Sequence, residues 1–144
     1  MNPDTKKAIA LLEKGGFTCV VCRGESIYST TLRGVRPLLN WLDTGPSLKD
    51  FSAADRVVGR AAAFLYCLLD VSEVYSKVMS RPAAQVLVQH GITVHADTFV
   101  DGIINRQGTG PCPFEAAVMD ATNPRDALSI IRKKLVALQA GGSK

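Results

Sequence analysis

Asp55, Arg56, Gly59 and Arg60 are the residues whose types and spacing best suit chemistry. They open the run Ser52 to Leu69, which reads as one long helix. After Arg60 no charge appears until Asp70, and a helix that is apolar all round belongs inside a protein. At about 100° per residue, Asp55, Gly59, Arg56 and Arg60 would fall in that order across about 140° of one face. A glycine in mid-helix costs about 1 kcal/mol against alanine. It leaves a dent that a ligand or another backbone can enter. Two arginines four apart repel mildly, yet they sit near the helix's positive end, where an anion is favoured. The quartet therefore points to a site for phosphate, nucleotide or carboxylate, with Asp55 able to move a proton. The alternative is structural: Asp55 as a first-turn residue, arginines reaching solvent or acids, and Gly59 admitting a close neighbour.

A second group is Gly108-Thr109-Gly110-Pro111-Cys112-Pro113-Phe114-Glu115. Pro113 suits the first position of a helix, which makes Cys112 its N-cap. A thiol there feels the helix dipole and becomes a candidate nucleophile. Glu115 stands where a capping-box acid would and is a second candidate for moving a proton. The Gly-Thr-Gly lead-in can turn backbone N–H groups towards an anion. The alternative is a plain cap with a small, half-buried cysteine. A nucleophile needs a base, and His90 and His95 are the two histidines. His90, beside Gly91, suits a charge role at a helix end better.

Other groups point away from chemistry. Cys19-Val20-Val21-Cys22 lies inside an expected strand, where residues three apart face opposite ways, so neither a metal nor a redox pair is expected. Cys67 belongs to the core. Asp97, Asp101, Asn105 and Arg106 fall in an irregular stretch without calcium-loop spacing, and read as a solvated loop. Trp41, between Leu39 and Leu42, reads as core or subunit contact.

The elements that must position these groups follow from pattern. Asp4 or Thr5 caps a helix running to about Lys14, stopped by Gly15-Gly16. Phe17 to Arg23 and Ser26 to Thr31 form a hairpin about Gly24-Glu25. Gly34 to Thr44 is a short helix, broken by Gly45-Pro46-Ser47. After the long buried helix, Val71 to Val78 is a strand. Pro82 opens a helix over Ala83 to Gln89, and Ile92 to His95 is a strand. A further strand is expected over Gly102 to Asn105 and a short helix over Pro113 to Met119. Asn123 caps and Pro124 starts the last helix, to Ala140. The tail, residues 141–144, is expected to be disordered. No internal repeat or low-complexity segment is present.

Composition sets the frame. A chain of 144 residues, 47% apolar and 21% charged, is expected to form one soluble domain spanning 1–144. Its net charge of +4 comes from scattered residues with few aromatics, which argues against nucleic acid. The start, Met1 to Lys7, has no apolar signal core, and no apolar run is long enough for a membrane span. A cytoplasmic protein with free thiols and no membrane partner is the expectation.

The order of entry helix, hairpin, buried helix, strand, Pro-started helix and strand resembles the cytidine-deaminase-like fold over residues 4–97. Within it, the run Ala54 to Ala63 and the segment Gly110-Pro111-Cys112-Pro113 resemble a bacterial family of unknown function. The resemblance implies an α/β fold, a three-layer α-β-α arrangement with a mixed sheet and an N-terminal hairpin. Zinc deaminases carry His-x-Glu or Cys-x-Glu at the start of the buried helix and Pro-Cys-x-x-Cys at the next. Here those motifs fall on Ala53-Ala54-Asp55 and Pro82-Ala83-Ala84-Gln85-Val86. Ala53, Ala83 and Val86 cannot ligate zinc, so neither metal nor cofactor is expected. Only Asp55 stands where the proton-shuttling glutamate would.

The expected pocket takes Asp55, Cys112 and Glu115 as its catalytic candidates. Arg56, Gly59, Arg60, Ser80 and Arg81 are its ligand-binding candidates. The expected partner is a small anionic ligand, and self-association through helices follows by analogy with the fold. Two other readings stay open: a non-catalytic ligand-binding or regulatory protein on the same scaffold, and an interaction subunit with a flat arginine face.

Overall fold

Pro3 opens α1 (Pro3–Gly15), where its missing N–H costs nothing. Asn2 caps the helix, its side-chain oxygen accepting from the Thr5 N–H at 2.8 Å. The cap is thus earlier than Asp4 or Thr5. Gly16 ends the helix in the left-handed region, φ +66°. The computed structural model describes residues 1–105 and 107–141. Arg106 and the last residues of the tail, 142–144, lie outside them.

The hairpin forms as expected, from β1 (Cys19–Arg23) and β2 (Ser26–Thr30). It is followed by α2 (Arg36–Thr44), β3 (Ser52–Val58), α3 (Arg60–Leu69), β4 (Glu73–Ser80), α4 (Arg81–Gln89), β5 (Thr93–Val100), α5 (Pro113–Ala117) and α6 (Pro124–Gly141). One mixed sheet results, ordered β2-β1-β3-β4-β5. β1 runs antiparallel to β2 and β3, while β3, β4 and β5 are parallel.

The expected helix from Ser52 to Leu69 is corrected to a strand and a helix. β3 lies between β1 and β4, and Ser52, Ala53 and Ala54 are fully buried. A strand covered on both faces shows no alternation, and small residues there let flanking elements approach closely. Val57-Val58 was the local strand signal. Gly59, extended at φ −100° and ψ −177°, is the junction and N-cap of α3. The helical arc joining Asp55, Arg56, Gly59 and Arg60 therefore does not exist.

Alternation now sorts the residues. Cys19, Val21, Ala53 and Val74 join the larger apolar cluster with α2, α3, α4 and α6. Val20, Cys22, Ala54 and Tyr75 join Ala8 and Leu12 of α1. Cys19 and Cys22 thus face opposite ways, as expected, and the cysteines are free thiols.

Two further boundaries differ. β5 continues to Val100, so Asp97 lies in a strand and accepts from the Tyr75 hydroxyl at 2.7 Å. The strand expected over Gly102 to Asn105 is reduced to a single bridge, Ile104 with Pro111. Among the described residues, no helix is long and apolar enough to cross a membrane.

Candidate functional site

Asp55 sits near the carboxyl end of β3, in register with Cys19 of β1 and Ser76 of β4. Its side chain turns towards α3. The Tyr66 hydroxyl donates to Asp55 Oδ2 at 2.6 Å, and the Arg56 N–H donates to Oδ1 at 2.8 Å. Cys19 Sγ lies 3.2 Å from the Tyr66 oxygen. A tyrosine inside an apolar helix must find a partner for its hydroxyl, and this carboxyl is that partner.

The electrostatics follow from enclosure. Burial pushes the Asp55 carboxyl up to about 6, against the pull of Tyr66 and the N–H groups of Arg56 and Val57. Burial, then the nearby Asp55 charge, raises Tyr66 well above its ordinary value, and Cys19 likewise. The phenol and thiol therefore keep their protons at neutral pH, while Asp55 exchanges its own. A carboxyl poised near neutrality is what proton transfer to a bound molecule requires.

Asp55 lines a cavity of about 580 Å³, a size that suits a small molecule. One wall is the segment after β2, with Leu32, Arg33 and Val35. The end of β3 supplies Asp55, Arg56 and Val57, and the start of α3 supplies Gly59, Ala61 and Ala62. Cys112, Phe114 and Glu115 complete it. The carboxyl end of a parallel strand, beside the helix that follows, is where α/β sheets place ligands.

The sequence-derived residues separate into two groups. Asp55, Arg56, Gly59, Cys112 and Glu115 line the cavity, whereas Arg60, Ser80 and Arg81 do not. Arg56, adjacent to Asp55 on a strand, points to the opposite face. Its Nε donates to the Phe17 carbonyl at 2.7 Å and its Nη2 to Leu12 at 3.4 Å, closing the end of α1. Arg60 donates to the Ala121 carbonyl at 2.5 Å, with its guanidinium 5.2 Å above the Phe64 ring. Ser80 is the buried N-cap of α4, accepting from the Ala83 N–H at 3.1 Å. Arg81 pairs with Asp101 at the surface.

Glu115 does not cap its own short helix. Its carboxylate accepts from the N–H groups of Arg60 at 2.5 Å and Ala61 at 2.8 Å, at the amino end of α3. The positive end of the buried helix does hold an anion, but one from the chain itself. Gly59 makes this fit, because a Cβ there would overlap the Glu115 carboxylate. Cys112 is the N-cap residue of α5 and is half-buried, with no side-chain capping bond. Neither histidine lines the cavity: His90 Nδ1 lies 2.9 Å from the Val86 carbonyl, and His95 Nε2 lies 3.5 Å from Glu73.

Zinc, which the deaminase resemblance brings up, does not fit these residues. Ala53-Ala54-Asp55 lies within β3, so the residues that open α3 are Gly59, Arg60 and Ala61. Those opening α4 are Ser80, Arg81, Pro82 and Ala83. Neither set offers a thiolate or imidazole. Among the described residues, no cluster of three histidine, cysteine, aspartate or glutamate side chains could hold a metal ion.

Cys19, Tyr66 and Arg33 are site residues that sequence reasoning missed. Tyr66 was absorbed into an apolar helix, although its hydroxyl was the signal that a polar partner lay nearby. Cys19 reads in the sequence only as half of a C-x-x-C. Arg33 stands at the cavity rim in the loop before α2, where no local pattern marks it.

Comparison with known proteins bears on the family and the fold. The family model described as a domain of unknown function, DUF1893, matches residues 7–135. A crystal structure of a DUF1893 family protein from Thermotoga maritima is similar with a TM-score of 0.85 at 23% identity. The likeness covers 93% of this chain and 92% of that one. No curated protein matches the chain.

Proposed function

Since the chain belongs to the DUF1893 family, to which no function is attached, we propose from its own geometry that it binds a small anionic ligand. The site is the cavity at the end of β3, where Asp55 serves as the proton-exchanging group. The observation that carries this reading is Asp55 itself: an enclosed carboxyl, held by Tyr66 and the Arg56 N–H, on the wall of a cavity of about 580 Å³. Arg33 supplies positive charge to the same cavity, and among the described residues it forms no ion pair. An anionic group of the ligand sits against it, and the rest meets the apolar side of Leu32, Val35, Ala62 and Phe114.

The sheet order, the hairpin and a cavity at the start of α3 support a cytidine-deaminase-like, three-layer arrangement. The chemistry assigned here does not depend on it. A non-catalytic binding role is the second reading. It is favoured by one observation: Glu115 and Arg56 are already satisfied by backbone groups of the chain, as suits a scaffold that holds rather than converts.

The test is thermal unfolding against nucleotides, nucleosides, sugar phosphates and small carboxylates. One anionic class is expected to raise the midpoint by roughly 5–10 °C at a hundredfold excess over Kd. Arg33→Ala is expected to remove most of that shift. Stabilisation by uncharged nucleosides alone, or by none of the panel, contradicts the anionic assignment.

A further inference from the structure

One short helix lends Phe114 and Glu115 to the cavity wall beyond the sheet. α5 (Pro113–Ala117) has no fully buried residue. It is fixed on one side by the Cys112 N–H donating to the Ile103 carbonyl at 2.9 Å, and on the other by fully buried Val118. Between these points α5 rests beside α6, and its side-chain ties towards α3 and the core are half-buried Phe114 and the Glu115 carboxylate on the amino end of α3. Segments with few buried apolar contacts open more easily than the rest of a protein. A charge-assisted pair of hydrogen bonds is then what keeps such a segment closed.

We propose that Glu115 is a clip that fastens the α5 wall to α3, and that its release opens the cavity towards Cys112 and Asp55. The inference rests on the reading that this cavity takes a ligand, and it gives that site a means of control. Closed, the Glu115 carboxylate fills the space left by Gly59 and satisfies the Arg60 and Ala61 amides. Open, those amides face the cavity, and Phe114 and Glu115 swing out between the two fixed points and uncover Cys112 at the hinge. Gly59 is a positioning residue here. Its extended backbone accepts any side chain, so alanine would act only by pushing the Glu115 carboxylate off its seat.

The thiols give a readout that needs no ligand. Cys19 and Cys22 are buried, and burial pushes Cys67 up to about 12, so these three serve as internal references. Alkylation by iodoacetamide, followed residue by residue by mass spectrometry, is expected to be at least about tenfold faster at Cys112 in Gly59→Ala and Glu115→Ala than in the parent. The other three rates are expected to stay unchanged. Equal Cys112 rates in parent and variants overturn the clip, as does a joint rise at all four thiols, which would mark Glu115 as a general structural tie. Amide exchange on the parent chain is a second test that no misfolding variant can spoil. The Arg60 and Ala61 amides are expected to exchange with those of residues 114–117 and faster than the β3 amides. Exchange of both groups only together with β3 overturns the clip. A failed ligand panel with a fast Cys112 in Gly59→Ala would sink the ligand reading and leave the clip standing.

Discussion

Asp55→Asn is expected to make the protein more stable by about 3 kcal/mol at pH 8, and to do so less and less as the pH falls through 6. The carboxyl moves from 3.8 in its ordinary setting to about 6 in the fold. Two pH units correspond to about 3 kcal/mol. Between those values the folded state binds the proton and the unfolded state does not. The contribution of Asp55 to stability is therefore fully present below about 3.8, is lost as the pH rises, and is gone above 6. Asparagine keeps the shape and the contacts: its oxygen can accept from the Arg56 N–H, and its amide can donate to Tyr66, whose hydroxyl then turns to Cys19. Comparing variant with parent isolates this group from carboxyls that act the other way. Burial alone would raise Glu73, but the Thr5 hydroxyl and the Asn2 N–H, helped by His95 and the amino terminus, hold it below its ordinary value. A hydrogen bond from Arg132 lowers Asp43. Urea unfolding from pH 4 to 8 measures the difference directly. A variant less stable than the parent at pH 8 would mean the charged carboxylate is well supported. A stabilising substitution at the proposed ligand site also fits the usual trade between stability and function.

Tyr66→Phe is expected to act in the opposite direction, costing about 1–3 kcal/mol above pH 7. The phenylalanine fills the same apolar space, so the lost group is the hydroxyl alone. Tyr66 is the foremost hydrogen-bond donor holding the Asp55 carboxyl down, so its removal is expected to move that carboxyl above 6. The cost should be largest where Asp55 is charged and should shrink towards pH 5, where a proton replaces the missing bond. Unfolding of parent and variant at pH 5 and 8 separates the two cases. An equal cost at both would show that Tyr66 supports packing rather than the charged carboxylate.

How far the site was legible depended on local signals. The hairpin, the capped last helix and the opposed faces of Cys19 and Cys22 follow from turn residues and period-two alternation, and they hold. The run from Ser52 to Leu69 was not legible as strand then helix, because a small, doubly covered strand and an apolar helix both read as unbroken apolar sequence. The helical face that would join Asp55, Arg56, Gly59 and Arg60 is absent. Even so, Asp55, Arg56 and Gly59 meet at one cavity, because the polar residues cluster where β3 hands over to α3. The anion expected at the positive end of the buried helix is present as Glu115, separated from Arg60 by the chain of three intervening elements. Such a contact has no local sequence signature. Ser80 and Arg81 stand at a second helix start, yet the cavity opens on the hairpin side of α3 instead.

The proposed function requires Asp55 to exchange its proton near neutral pH on the wall of the cavity. Carbon-13 NMR of the aspartate carboxyls, with Asp55 assigned by its loss in Asp55→Asn, measures this without a ligand. A titration of Asp55 centred near 6 is the predicted result. A midpoint near the ordinary value for aspartate would contradict it and leave the cavity without a group poised for proton transfer.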